Sequence, residues 1–276
     1  MDDKLSDVGG GHGARRMRSG GRAANAARRS GELFKQMPWR LPVNYDQPTE
    51  PLDEQGVAAI HGGAMQILEE TGIEFLNKEA QALFREAGCR VDGTNVKMDR
   101  EWVMEMIPKA PDEFTITSRN PDRELVIGGK HILFGNVSSP PNYYDVDLGQ
   151  KMPGTREQCA NLIKLSQYFN CIHFVGGYPV EPADIHASVR HLDVLHDKLV
   201  LTDKVAHAYS LGKERVEDAM EMVKVAGGLS EEEFSAKPHM FTNINSTSPL
   251  KHDQPMIDGC LRLIRRGQAV IVTPFT

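Results

Sequence analysis

The chain is poor in the residues that mark the commonest chemistries. It has four cysteines in 276 residues, Cys89, Cys159, Cys171 and Cys260, and no two form a C-x-x-C pair. That spacing argues against a zinc ribbon, a dithiol redox centre or a disulfide scaffold, and suits reduced thiols in a cytoplasmic protein. No H-E-x-x-H or Cys/His cluster is present, so no metal site is expected. No G-x-S-x-G elbow supports a serine hydrolase, and no G-x-G-x-x-G turn follows a strand to cradle a dinucleotide. No apolar run approaches the 18 residues of a membrane span, and the N-terminus lacks the apolar core of a signal peptide.

What is present is unevenly distributed. Residues 1–30 carry seven basic residues against three acidic ones, a balance of +4, while the whole chain stands at −6. The remainder is therefore strongly acidic, which argues against a nucleic-acid-binding body. Residues 1–35 are rich in Gly, Ala and Arg, with almost nothing to bury, and read as a disordered basic arm. Residues 36–51 hold Pro38, Pro42, Pro48 and Pro51 and read as an extended connector.

Residues 52–154 read as a small α+β elaboration. Asp53 caps a helix with Val57, Ile60, Ala64, Ile67 and Leu68 on one face, ended by Gly72. A second helix is expected from Lys78 to Ala87, and a third around Trp102 and Ile107. Short strands follow at Phe114–Ser118, Leu125–Ile127 and His131–Phe134, the last two joined by Gly128-Gly129. Asn142-Tyr143-Tyr144-Asp145 reads as a loop that, if extended, sends one tyrosine toward a pocket and the other away.

From residue 155 to 276 the pattern is a repeat. A helix over Thr155–Asn170 precedes strands at Ile172–Val175, Leu199–Leu201, His239–Ile244 and Ala269–Val272. Helices over Ile185–His196, Glu214–Ala226 and Gln254–Arg265 connect them. Four such βα units suit the first half of a TIM-type (β/α)₈ barrel, an α/β fold. Because the last segment is a buried-type strand, the chain is expected to be truncated relative to a larger closed fold.

In a barrel the loops after the strands build the site. The candidates are Tyr178 after strand one, Asp203 and Lys204 after strand two, Asn245 and Ser248 after strand three, and Pro274 and Phe275 after strand four, with Tyr143 from the preceding loop. Together they suggest a polar, partly aromatic pocket for a small cation, held by cation–π contact and carboxylate attraction. His186, His191 and His196 sit at i, i+5 and i+10 of one expected helix, too far apart around its axis to share a metal.

The order of short motifs resembles the trimethylamine methyltransferase family of corrinoid-dependent enzymes. The resemblance runs from the Arg-rich arm through Ile67-Leu68-Glu69-Glu70-Thr71-Gly72-Ile73, Phe134-Gly135-Asn136 with Asn142 and Asp145, and Phe174-Val175-Gly176-Gly177. It continues in Thr202-Asp203-Lys204, Ser248-Pro249-Leu250 and Val272-Thr273-Pro274-Phe275. It implies a barrel that moves a methyl group from a methylated amine to the cobalt of a corrinoid carried by a partner protein, with no cofactor bound directly and a homo-oligomer at full length. Family members are about twice this length, and the trimethylamine-specific ones carry pyrrolysine in the other half. Two rival readings are a non-catalytic half-barrel acting only in assembly and an unrelated barrel lyase or decarboxylase.

Overall fold

In the computed structural model, residues 36–209 and 211–273 are described, and the expected basic arm, Pro274 and Phe275 lie outside them. Helix α1 (Glu54–Gln66) begins where the Asp53 carboxylate accepts from the Gly56 amide at 2.8 Å. It runs into a single wide turn, Ile67–Thr71, closed by the Gly72 amide donating to the Ile67 carbonyl. Gly72 has φ +79°, and a Cβ there would lie 2.7 Å from the Val96 carbonyl oxygen, so glycine is required.

Strand β1 (Ile73–Phe75), helix α2 (Lys78–Glu86), strands β2 (Arg90–Asp92) and β3 (Asn95–Lys97) and helix α3 (Arg100–Met106) follow. Next come the antiparallel pair β4 (Glu113–Ile116) and β5 (Leu125–Gly128), and the hairpin β6 (Asn142–Asp145) and β7 (Gln150–Pro153). The expected strand His131–Phe134 is absent. Gly128-Gly129 instead turns the chain away, His131 makes one antiparallel bridge to Val43, and Gly135 makes one parallel bridge to Phe174. The tetrapeptide around Tyr143 is β6 rather than a loop, with Tyr143 half-buried and Tyr144 exposed on opposite sides.

The second part is a run of parallel strands and helices. Helix α4 (Arg156–Tyr168) starts at Thr155, whose hydroxyl accepts from the Gln158 amide. Then come β8 (Phe174–Val175), α5 (Arg190–Leu201), β9 (Val205–Ala206), α6 (Lys213–Gly227) and α7 (Glu231–Ala236). The described chain ends with β10 (Phe241–Asn245), β11 (Lys251–His252), α8 (Gln254–Arg265) and β12 (Ala269–Thr273). The expected strand Leu199–Leu201 is the last turn of α5, and the strand is Val205–Ala206. The apolar run there continues the helical face of Val194 and Leu195, and a run this short fits either structure equally well.

β8 pairs with β9 and β10 with β12, both in parallel, and a parallel bridge between His207 and Phe241 joins the two pairs. Neighbours in the sheet therefore follow chain order: Gly135, β8, β9, β10, β12. β12 pairs on one side alone among the described residues, and Ile271 and Val272, on its opposite faces, are both exposed.

Side chains alternate along these strands. Thr242, Ile244 and Val270 face the helices. There Val216, Met220 and Val223 of α6 pack with Phe234 and Leu263, while Ile257 and Leu261 of α8 pack with Phe75 and Val96. On the other face Phe241, Val205 and Ala269 meet Ile116 and Leu125, so β4 and β5 close the N-terminal ends of the strands. The small sheet, in order β11-β1-β3-β2, ties the first part to the second through parallel pairing of β1 with β11.

These environments predict opposite outcomes for two deletions. Leu263→Ala, at a fully buried site between α6 and α8, is expected to cost about 2–5 kcal/mol in chemical denaturation. Ile60→Ala, on the exposed face of α1, should stay within about 0.5 kcal/mol.

Candidate functional site

The C-terminal ends of the parallel strands carry a row of uncharged polar side chains. Phe241, Asn243 and Asn245 share one face of β10 by the two-residue alternation, and Thr273 sits beside Asn245 in the parallel register with β12. His207, just past β9, joins them: its Nε2 lies 2.7 Å from Asn243 Oδ1. Asn243 Nδ2 in turn lies 3.4 Å from both Asn245 Oδ1 and Thr273 Oγ1. The row thus crosses three strands, with amide and hydroxyl groups able to donate or accept.

The imidazole is held neutral. Burial drives the His207 pKa down to about 3, with the nearby Lys198 charge working in the same direction. With Nε2 donating to Asn243, Nδ1 is a lone-pair acceptor without a partner among the described residues. The ring stands edge-on to Phe241 and Tyr209, with centroids 5.1 and 5.8 Å apart.

Beside the row, the turn after β8 is sealed by its neighbours. The Gly176 amide donates to Asn136 Oδ1 at 2.9 Å, and the Ser139 amide donates to the Tyr178 carbonyl at 2.6 Å. At Gly177 a Cβ would meet Ser138 Oγ at 2.0 Å and Tyr209 Oη at 2.6 Å, so only glycine lets these loops approach. Tyr178 is buried with Val180 and Val194, and its ring lies 4.4 Å from that of Tyr209. Burial, then the Tyr209 neighbour, pushes its phenol well above the ordinary range. Tyr143 packs against the same cluster. Ser248 is exposed in the loop that leads from β10 to β11.

Asp203 and Lys204 do not join the row. They precede β9 and therefore lie at the opposite, N-terminal ends of the strands. Lys204 Nζ donates to the carbonyls of Ser166 and Phe169 at the end of α4, where the helix dipole favours a cation. Asp203 Oδ2 accepts from Asn120 Nδ2 at 2.7 Å, and Oδ1 lies 3.7 Å from Arg123. Burial opposes the ionised form, yet Asn120, Gln167 and Arg123 together hold this carboxyl below its usual value. A cleft of 370 Å³ beside them, lined by Thr117, Ser118, Lys204, Val223 and His239, belongs to this end as well.

The histidine trio also separates. His186 lies ahead of α5, His191 Nε2 meets Asp218 at 2.9 Å, and His196 Nδ1 meets Asp197 at 3.3 Å. Among the described residues no group of three or more His, Cys, Asp or Glu side chains could hold a metal.

His207, Asn243 and Thr273 were missed by the sequence reading. The alternation in Phe241-Thr242-Asn243-Ile244-Asn245 carried the signal for Asn243. The signal for His207 was hidden by placing the second strand five to six residues early. Lys198 was equally hidden: it is fully buried on α5, its Nζ donates to the His207 carbonyl at 2.9 Å, and burial drives its pKa down to about 7.

In this α/β protein, with parallel strands in chain order, the neutral polar row at the strands' C-terminal ends offers hydrogen-bonding groups suited to orienting a small polar ligand rather than to attacking it. The family model for trimethylamine methyltransferase (MTTB) matches residues 18–276, and the chain belongs to that family. It is 38% identical over 221 residues to a glycine betaine methyltransferase of Desulfitobacterium hafniense strain Y51, covering 80% of this chain and 46% of the relative. It is 29% identical over 202 residues to a trimethylamine methyltransferase MttB of strain DCB-2 of that species, covering 72% of this chain and 40% of the relative. To a proline betaine:corrinoid methyltransferase of Eubacterium limosum it is 22% identical over 226 residues, covering 78% and 45%. The chain spans about half the length of the curated relatives it matches.

The buried lysine generates a pH prediction. In the unfolded chain Lys198 keeps its proton up to about pH 10.4, whereas in the fold it releases it near pH 7. Between these values the unfolded state binds more protons, so this group makes stability rise with pH, and below pH 7 its contribution is flat. The stability of wild type relative to Lys198→Met should therefore increase from pH 7 to pH 10, measured by urea denaturation of both proteins.

Proposed function

We propose that this chain supplies the first four βα units of a TIM-type (β/α)₈ barrel, and that the complete barrel transfers a methyl group from a quaternary amine of the betaine type to a corrinoid carried by a partner protein. The similarity to glycine betaine methyltransferase over 80% of the chain is the observation that carries the reading. The chain order of the parallel strands supports the barrel, since a doubly wound sheet reverses direction at its switch point. The one-sided pairing of β12 among the described residues, with Ile271 and Val272 exposed, supports a further strand adding at that edge. In this reading the protein works in the cytoplasm and assembles as a homo-oligomer at full length.

The chemistry needs little from the protein. A quaternary nitrogen is a ready leaving group: the N–C bond breaks, its electron pair stays on nitrogen as a tertiary amine, and the acceptor provides the pair for the new bond to carbon. Placement and exclusion of water are the protein's contribution. Asn243, Asn245 and Thr273 can donate to the carboxylate of a betaine. The half-buried Tyr209, whose ring lies beside that of His207, adds an aromatic surface for a methylated cation. Tyr178 and Tyr143 pack in one cluster with Tyr209, Ser248 is exposed in the loop after β10, and Phe275, outside the described residues, keeps its expected part in substrate binding.

The test is methyl transfer by the intact protein to a reduced corrinoid protein, with glycine betaine, trimethylamine and tetramethylammonium as alternative donors. Glycine betaine should be converted to dimethylglycine and preferred over tetramethylammonium. Asn243→Ala should lower kcat/KM for glycine betaine by about 10–100-fold, as for a lost hydrogen bond to a charged group of about 1.5–3 kcal/mol. Asp203→Asn should leave the ratio of donors unchanged, because its carboxylate lies at the other end of the strands. Absence of transfer from all three donors would remove the assignment.

A further inference from the structure

Lys198 has no role in the reading above, and its position calls for one. Its side chain is 2% exposed on α5, and no ion pair reaches it among the described residues. An ammonium group taken out of water without a carboxylate is costly, and a methionine would fill the same space at lower cost. The group Nζ does meet is the carbonyl of His207, at 2.9 Å.

That carbonyl belongs to the residue that opens the polar row. The other ties at this strand end are the His207 amide donating to the Val175 carbonyl at 3.2 Å, the Ala208 amide donating to the Phe241 carbonyl at 3.0 Å, and the Thr242 hydroxyl donating to the Ala208 carbonyl at 2.6 Å, none of which reaches the His207 carbonyl. β9 itself is two residues long. The direction of the imidazole, and with it the 2.7 Å contact to Asn243, depends on this short strand end staying in place. Lys198, on α5, holds the carbonyl of the peptide plane after His207, and the Ala208 amide of the same plane donates to the Phe241 carbonyl at 3.0 Å, so the two bonds fix that plane from its two ends.

We infer that Lys198 is a positioning residue for methyl transfer, holding the His207 backbone so that its imidazole stays aligned with Asn243 and Thr273 on the site face. The inference rests on the functional reading above. A lysine that served stability alone would be expected in an ion pair, or at a helix end as Lys204 is, whereas this one is placed on a strand-end carbonyl one residue from the site.

The test replaces it in the intact protein with Lys198→Met, close in volume and without the donor. At pH 7.5 the melting temperature should stay level or rise, because an interior lysine that must give up its proton or carry a buried charge has been replaced by an apolar group. With glycine betaine and reduced corrinoid protein, kcat should fall at least roughly tenfold while KM moves less than about threefold, the signature of lost alignment. The ¹⁵N spectrum of the His207 ring should change from a single Nε2–H tautomer to a mixture. Lys198→Gln, which restores a donor of shorter reach, should recover part of both, and it carries the same readings if the Met variant does not fold. Unchanged kcat with an unchanged His207 spectrum overturns the inference, as does a loss of activity that follows loss of folded protein while the ring signals stay fixed. If wild type transfers no methyl group, the functional reading fails, and the His207 spectrum alone decides the positioning role: a shift supports it and a fixed tautomer overturns it.

Discussion

Alternation of side chains along parallel strands is the constraint on which the rest of this molecule depends. Because successive residues of β10 point to opposite faces, one face can be given to α6 and α8 and the other to the site and the β4–β5 cover. Thr242 and Ile244 go to the helices while Phe241, Asn243 and Asn245 line the other side. Apolar residues at the start of the strand meet Ile116 and Leu125, and polar ones at its end are left to form the row. A shift of one residue in pairing with β12 would exchange the two sets and remove both core and site.

The two ends of the strands have divided the polar residues by role. At the N-terminal ends, Lys204, Arg119 and Asp203 serve the backbone and each other. Lys204 meets the last carbonyls of α4, Arg119 meets carbonyls of Leu199 and Thr202 at the end of α5, and Asp203 sits between Asn120 and Arg123. Charges here satisfy helix ends that would otherwise be left with bare acceptors. At the C-terminal ends the row of His207, Asn243, Asn245 and Thr273 is neutral, and its side chains bond to one another across the strands. The proposed reading suits this division, since alkyl transfer from a quaternary nitrogen would call for placement more than for an acid, a base or a nucleophile.

Much of the fold was readable before the structure. The Asp53 cap, the Gly72 stop, the helix at Gln254–Arg265 and the strand expected at Ala269–Val272 and found at Ala269–Thr273 rest on local chemistry: a carboxylate that accepts an amide, a glycine free to take positive φ, a 3.6-residue apolar period, a β-branched run. The second strand was not readable. Leu199-Val200-Leu201 is apolar and short, and nothing local separates the last turn of a helix from a buried strand. That misplacement alone moved Asp203 and Lys204 to the wrong end and hid His207. At the site, Asn245 was legible because its strand was, whereas Tyr178 was legible in position but not in burial, which depends on Tyr209 and Val194 arriving from other segments.

The sequence by itself determined the helix boundaries set by caps and glycines, the repeat of strand and helix, the acidic body and the family, because each of these is written in neighbouring residues or in their order. Only the tertiary structure decided which strand ends lie together and which side chains share a face. It set a lysine on α5 against the carbonyl of His207, and it set that imidazole against an asparagine 36 residues further on. Those contacts join segments distant in the chain, and their partners are chosen by packing of the whole sheet. No local propensity encodes them.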